Sequence, residues 1–129
     1  MKIQDAARRW ADTWQRAWNE HDIESIVGLY AADVVYSSEP FRIPYAGLEG
    51  VRSYVSQAFE EEESARSMFG EPVVGDGRAA VPWWANLVEN GARITLAGMS
   101  LLRFNADGLV IEQWDAWNQA DGHREEHLP

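Results

Sequence analysis

Apolar residues open the chain at every fourth position: Ala6, Trp10, Trp14 and Trp18. That spacing puts them on one stripe of a helix, with Arg8, Arg9, Arg16 and Glu20 on the other faces. A first helix is therefore predicted over "QDAARRWADTWQRAWNEHD", with Asp5 placed to cap it. "DIESIVGLYAAD" keeps helical spacing at Ile23, Ile26, Val27 and Tyr30, and Asp22 is placed to cap this second helix. The pattern changes at "DVVYSSEPF", where Val34, Val35 and Tyr36 read as a strand that ends at Pro40. A third helix, "GLEGVRSYVSQAFEEEES", has Leu48, Val51, Tyr54, Val55 and Phe59 on its inner side. The run Glu60 to Glu63 falls at its C-terminus, where the macrodipole disfavours anions, so a frayed and solvated edge is expected there.

The rest alternates with period two. "SARSMFGEPVV", "RAAVPWWANLVE", "ARITLAGMSLLRFN" and "LVIEQWDAWNQ" read as strands separated by "GDG", "NG" and "ADG", of which "NG" is a strong hairpin signal. Helices followed by an antiparallel meander give an α+β class, with the helices on one face of the sheet. Alternation also sorts the side chains. Val81, Trp83, Ala85 and Leu87 share one face, and Pro82, Trp84, Asn86 and Val88 the other. On the last strand Ile111, Gln113, Asp115 and Trp117 share a face opposite Val110, Glu112, Trp114 and Ala116, provided no bulge intervenes. Trp84, Trp114 and Met99 then lie on an outer face that needs cover, most simply from a second copy of the chain. Pro82 cannot donate to a ladder and marks an edge or a bulge.

Composition narrows the function classes. The 129 residues fit one domain spanning 1–129, with 119–129 expected as a loose tail. A formal charge of -10 and the lack of a basic patch argue against a nucleic-acid partner. With no cysteine there is neither a disulfide framework nor thiolate chemistry. No stretch reaches the roughly 18 apolar residues of a membrane span. "MKIQDAARRW" turns charged at once, without the apolar run of a signal peptide, so a cytoplasmic protein is expected. Phosphate-binding glycine loops, the G-x-S-x-G elbow and H-E-x-x-H are all missing from the sequence, and neither a cofactor nor a metal is expected. His123 and His127, near Glu125 and Glu126, have metal-like spacing, but a disordered tail accounts for them better.

The order of elements, together with "AWNEHDIESIVGLYAADVVY…PF…GLEGVRSYV" and "GMSLLRFNADGLVIEQWDAWN", resembles the nuclear transport factor 2-like superfamily. Within it the SnoaL-like polyketide cyclase group is nearest, with ketosteroid isomerases as more distant relatives. The resemblance runs from about Trp10 to Asn118. It implies a cone in which a curved antiparallel sheet wraps three N-terminal helices around a deep apolar pocket, commonly in a homodimer formed through the outer sheet face. It also implies site residues. Trp14 matches the oxyanion-hole tyrosine position of the ketosteroid isomerases, Ser38 (or Glu39) their general base, and Ser100 their second oxyanion donor. All three have changed, which argues against that activity. Tyr54, Val81, Trp83, Ala85, Gln113, Asp115 and Trp117 match pocket-wall positions.

Asp115 matches the acid/base carboxylate of the SnoaL-like cyclases. The histidine they carry on the preceding strand is replaced here by Ser100 and Leu101. Burial against Trp117, Trp83 and Trp14 would raise the Asp115 pKa toward that of a general base at neutral pH. The alternative is that Asp115 serves structure, bonded to Tyr36, Tyr54 or an indole N–H. Tyr36, Tyr54, Ser38 and Ser100 are candidate donors to a ligand oxygen. A cofactor-independent acid/base enzyme acting on a hydrophobic cyclic or polyketide-like substrate and a non-catalytic binder of a small hydrophobic molecule both fit, and a dimerising module with an incidental pocket fits less well.

Overall fold

A computed structural model describes residues 1–129. Helix α1 spans Ile3–Glu20 and buries the predicted stripe, Ala6, Trp10, Trp14 and Trp18, along with Ala7, Ala11 and Ala17. It starts two residues before Asp5, which lies in the first turn without capping it. His21, in the left-handed conformation at φ 55°, closes the helix. Helix α2 is only Ile23–Val27, and Asp22 caps it by accepting from the Ser25 N–H at 3.2 Å.

Tyr30 does not belong to this second helix as its spacing suggested. It begins strand β1, Tyr30–Ser37, because it pairs with Val110 of the last strand, and a tertiary ladder overrides a short helical pattern. After β2 (Tyr45–Ala46), helix α3 runs Gly47–Glu61, and strands β3 (Glu62–Phe69), β4 (Val73–Gly75), β5 (Arg78–Glu89), β6 (Ala92–Phe104) and β7 (Val110–Asp121) follow.

The end of α3 is not frayed. Asn90 of the β5–β6 turn donates its N–H to the Glu61 carbonyl at 3.2 Å, and Gly91 donates to the Glu63 carboxylate at 2.8 Å. These donors meet the C-terminal carbonyl and the acidic run that the macrodipole would otherwise disfavour. Asn90 (φ 50°) and Gly91 (φ 79°) give that turn the left-handed pair a tight hairpin needs.

The strands form one curved, unclosed sheet in the order β2–β1–β7–β6–β5–β3, with β4 also on β5. It is mixed rather than purely antiparallel, since β1 runs parallel to β7. The helices pack on its inner face, and the α+β cone is the architecture. Pro82 lies where β3 has ended, with Phe69 opposite Trp83, and β4 has not begun, with Val73 opposite Ala80. Its missing donor therefore faces a local edge. The edge strand β3 is covered by α1, whose Gln15 and Asn19 side chains accept from the Phe69 and Ser67 N–H groups at 2.9 and 2.7 Å. Gly98 faces Trp117, and a Cβ there would collide with the Ala116 carbonyl and the Trp117 backbone, so only glycine allows β6 and β7 to approach this closely.

Two expectations about β7 change. Ile111 is the extra residue of a bulge, because Arg103 pairs with Glu112 while Phe104 pairs with Val110. Val110 is consequently the buried residue and Ile111 only half-buried, whereas the sorting from Gln113 onward stands. The strand also continues through Asp121, past the point where a loose tail was expected. The following residues dock on the outer face. The Arg124 N–H donates to Asn86 and Thr95 side chains at 3.0 Å each, and its carbonyl accepts from the Trp84 indole at 3.1 Å and the Asn86 amide at 3.0 Å.

Candidate functional site

Asp115 projects inward from β7, opposite Ser100 on β6 and beside Gln113 on its own strand. Only 5% exposed, it accepts hydrogen bonds on both oxygens. Ser100 Oγ donates to Oδ1 at 2.6 Å, the Tyr36 hydroxyl to Oδ2 at 3.2 Å, and the Gln113 amide to Oδ1 and Oδ2 at 3.0 and 3.3 Å. Behind these donors stands another rank. Tyr30 donates to Gln113 Oε1 at 2.6 Å, and the Trp10 and Trp14 indoles donate to the Tyr30 hydroxyl at 3.3 and 3.0 Å. Trp83 donates to Ser100 Oγ at 3.1 Å. The chain of donors orients the Gln113 amide and the Ser100 hydroxyl, so each presents its proton to the carboxylate.

Burial pushes the Asp115 carboxyl up from 3.8 to about 7, against the lowering effect of the Ser100, Gln113 and Tyr36 bonds. Burial, with the nearby Asp115 charge, also raises Tyr36 and Tyr54 above the ordinary phenol value, so both stay protonated as donors. At neutral pH Asp115 is thus divided between acid and base forms, and its neighbours are fixed donors.

A cavity of about 230 Å³ opens beside this carboxylate. Trp14, Tyr36, Tyr54, Trp83, Ser100, Gln113 and Trp117 line it with Asp115. An apolar cavity near 150 Å³ suffices for benzene, so this volume suits a molecule of one or two rings. Three of the expected positions do not line the cavity: Val81 and Ala85, fully buried within β5, and Ser38. The Ser38 hydroxyl has no partner, and its carbonyl accepts from the Trp117 indole at 2.7 Å. Ser38 sits just past the end of β1, where its side chain is buried in packing and its backbone fixes Trp117. Glu39 lies outside, at an exposed groove with Phe41 and Arg42, paired to Arg42 at 3.6 Å. Of the candidate donors, Tyr36 and Ser100 are already committed to Asp115, while the Tyr54 hydroxyl on the cavity wall makes no bond to protein.

Sequence reasoning missed two residues. Tyr30 is the hub behind Gln113, and an exposed Ala32 with a register shift between Tyr30 and Val35 interrupts the alternation that would have pointed to it. Glu62 was assigned to a solvated edge, yet its side chain is 5% exposed and lines the same cavity. Its Oε1 accepts from the Trp18 indole at 2.9 Å and lies 3.3 Å from His21 Nε2, and His21 is stacked on Phe59 at 4.4 Å. Burial raises Glu62 from 4.5 to about 7, the Trp18 bond opposing and the Glu89 charge adding to the shift. No three His, Cys, Asp or Glu side chains converge as a metal-binding group.

The SnoaL-like domain model matches residues 7–113, most of the chain. The chain belongs to the SnoaL-like family. Among curated protein sequences none matches it. Of solved structures, RV0760c from Mycobacterium tuberculosis superposes with a TM-score of 0.80 at 19% identity, covering 95% of this chain and all of that one, 100%. A nuclear transport factor 2-like protein of unknown function from an Exiguobacterium species superposes with a TM-score of 0.74 at 15% identity, covering 88% and 98%. At these identities the likeness carries the fold alone, and function must be argued from the site. The family is one of small-molecule pockets and cofactor-independent enzymes. No helix of the chain is long and apolar enough to cross a membrane.

Proposed function

We propose that this SnoaL-like protein binds a small, hydrophobic, cyclic or polyketide-like molecule in the Trp-lined cavity and that Asp115 transfers a proton on it without a cofactor. The observation behind the reading is a carboxyl on the cavity wall, oriented by three donors and held near pKa 7. A base at that pKa can take a proton α to a carbonyl and return it elsewhere on the carbon skeleton, the chemistry of an isomerase, cyclase or dehydratase. Tyr54 would polarise the carbonyl oxygen, since it lines the cavity, its hydroxyl makes no bond to protein, and it remains protonated. Ser100, Gln113 and Tyr36 would position Asp115 rather than touch the substrate. Water exclusion by Trp14, Trp83 and Trp117 strengthens each of these interactions.

The test is proton exchange. Cyclic and polyketide-like ketones are incubated with the protein in heavy water, and deuterium incorporation α to the carbonyl is read by mass spectrometry. Exchange with the wild type and loss of it in Asp115→Asn supports the assignment; equal exchange in both removes Asp115 from the mechanism.

A second reading has an observation of its own. Both Asp115 oxygens are already bonded by protein donors, which suits an anchoring acceptor in a non-catalytic binding protein. Ligand binding without exchange for any ketone would favour it. In either case the outer sheet face, where Trp114 is 43% exposed beside Met99 and Leu101, is the proposed homodimer surface. Trp84 contributes less to it than the sequence suggested, being half-covered by the chain's own Arg124 segment. A cytoplasmic setting is proposed with it.

A further inference from the structure

Every charged side chain on the cavity wall is acidic: Glu61, Glu62, Glu89 and Asp115 line it, and no Lys, Arg or His does. An anionic ligand would meet repulsion from all sides. Glu62 adds a specific point of attachment. Both of its protein contacts fall on Oε1, and Oε2 accepts none. That oxygen is nevertheless not sealed in, since the fully enclosed atoms without a partner are Arg9 Nε and Ser38 Oγ alone. With the side chain 95% covered and the residue on the cavity wall, Oε2 opens on the cavity. Exposed Glu61 and Gln119 and half-exposed Glu89 mark the rim, and Glu62 lies just inside it.

Building on the pocket reading above, we infer that the ligand carries a protonated amine whose N–H donates to Glu62 Oε2. Its apolar body then lies against the tryptophans in the direction of Asp115. An ammonium is the group that satisfies an unpartnered carboxylate oxygen and meets the sign of the whole lining. A neutral hydroxyl could donate to Oε2 but would gain little from the acidic wall. Burial holds Glu62 near pKa 7, and an adjoining cation would favour its charged form. His21, stacked on Phe59 with Nε2 at Oε1, keeps the carboxylate turned so that Oε2 remains the free oxygen.

Three matched probes test the inference by calorimetric titration at neutral pH: phenethylamine, phenethyl alcohol and phenylacetate. The amine should bind about ten-fold more tightly than the alcohol, as one charge-assisted bond in a desolvated site would give, and phenylacetate should bind weakest. Glu62→Gln keeps the Trp18 acceptor and should abolish the amine's advantage without weakening the alcohol. Glu62→Asp, which keeps the charge but withdraws it by one methylene, should lose part of that advantage. Glu61→Gln removes the same charge at the exposed rim and should change it less than about two-fold. Equal losses in Glu61→Gln and Glu62→Gln would show a diffuse field and overturn the docking point. Equal binding of amine and alcohol to the wild type overturns the inference and leaves the pocket reading intact. Binding of none of the three overturns both.

Discussion

Two carboxylates share one cavity and one raised pKa, but they differ in how they are held. Asp115, level with Ser100 on β6 and Val81 on β5, receives donors on both oxygens, backed by a second rank of Tyr30, Trp10 and Trp14. Glu62, level with Glu89 eight residues further along β5, receives its bonds on one oxygen and leaves the other open. In each case burial is the main cause of the shift. A pKa therefore does not distinguish their roles; the donors do. A carboxylate fully surrounded by fixed donors is preorganised to exchange a proton with little rearrangement, whereas one half left open is set to accept a new partner. Tyr54, on the same cavity wall, lies within the field of both.

The largest expected effect breaks the comparison at its chemical end. Asp115→Asn should lower any proton-transfer turnover by about 10²–10⁴-fold, the usual contribution of a positioned general base, while circular dichroism stays native. Glu62→Gln should instead act mainly on binding of a cationic substrate, raising KM with little change in kcat. If Glu62→Gln lowered kcat as much as Asp115→Asn, the division of roles would fail.

Acidity should reveal both ends at once. In the unfolded chain these carboxyls titrate near 3.8 and 4.5, and in the folded protein near 7. Between those values the folded state holds protons that the unfolded state has lost. The stability these two carboxyls contribute therefore falls as pH rises from about 4 to about 7, with none of it lost below that window and no further loss above it. The groups facing Asp115, Tyr30, Tyr36 and Tyr54, remain protonated throughout and do not mask the effect. Near Glu62 the Glu89 charge works in the same direction. Urea unfolding across this range should show a decline of a few kcal/mol. Asp115→Asn and Glu62→Gln should each flatten part of it. A wild-type stability that rises through the window would contradict the burial of both groups.

Gln113 separates the two ends by stability. Gln113→Leu deprives Tyr30 of its acceptor and Asp115 of donors to both oxygens. Leaving buried polar groups unpaired should cost about 2–3 kcal/mol by urea unfolding at neutral pH. Glu62→Gln, which removes a buried charge and preserves an acceptor for Trp18, should stay within about 1 kcal/mol of wild type. Comparable losses would mean that the Glu62 end is as tightly networked as the other.

The same contrast explains what the sequence revealed. The Trp10–Trp14–Trp18 stripe and the inward set Trp83, Gln113, Asp115 and Trp117 were legible because a helix and a strand each repeat with a fixed period, and the resemblance gave the cone they line. Glu62 was not legible. It sits at the junction of α3 and β3, where the helical period has ended and a register shift between Glu62 and Ser64 breaks the alternation. Nothing local distinguishes it from Glu60, Glu61 or Glu63; only the approach of Trp18 and His21 from α1 does. Tyr30 was obscured because its helical spacing from Ile26 was satisfied locally, while its strand pairing depends on Val110, eighty residues away in sequence. The Ile111 bulge and the parallel β1–β7 pair are similarly nonlocal. Ser38 was misplaced because the resemblance aligns a position, whereas the direction of the side chain depends on the end of β1.

The smallest effect sharpens the comparison furthest. Trp18→Phe keeps an aromatic ring against Trp14 and Trp83, whose centroids lie 5.9 and 5.7 Å away, and removes the N–H donated to Glu62 Oε1 together with part of the indole. That bond lowers the Glu62 pKa, so its loss should raise it further. A carbon-detected NMR titration of the side-chain carboxyls reads Glu62 and Asp115 in the same sample. Asp115, bonded by Ser100, Gln113 and Tyr36 and not by Trp18, should titrate where it does in the wild type. Were both carboxyls to move together, they would form one coupled acid, and the separation of a proton-transfer end from a docking end would be lost.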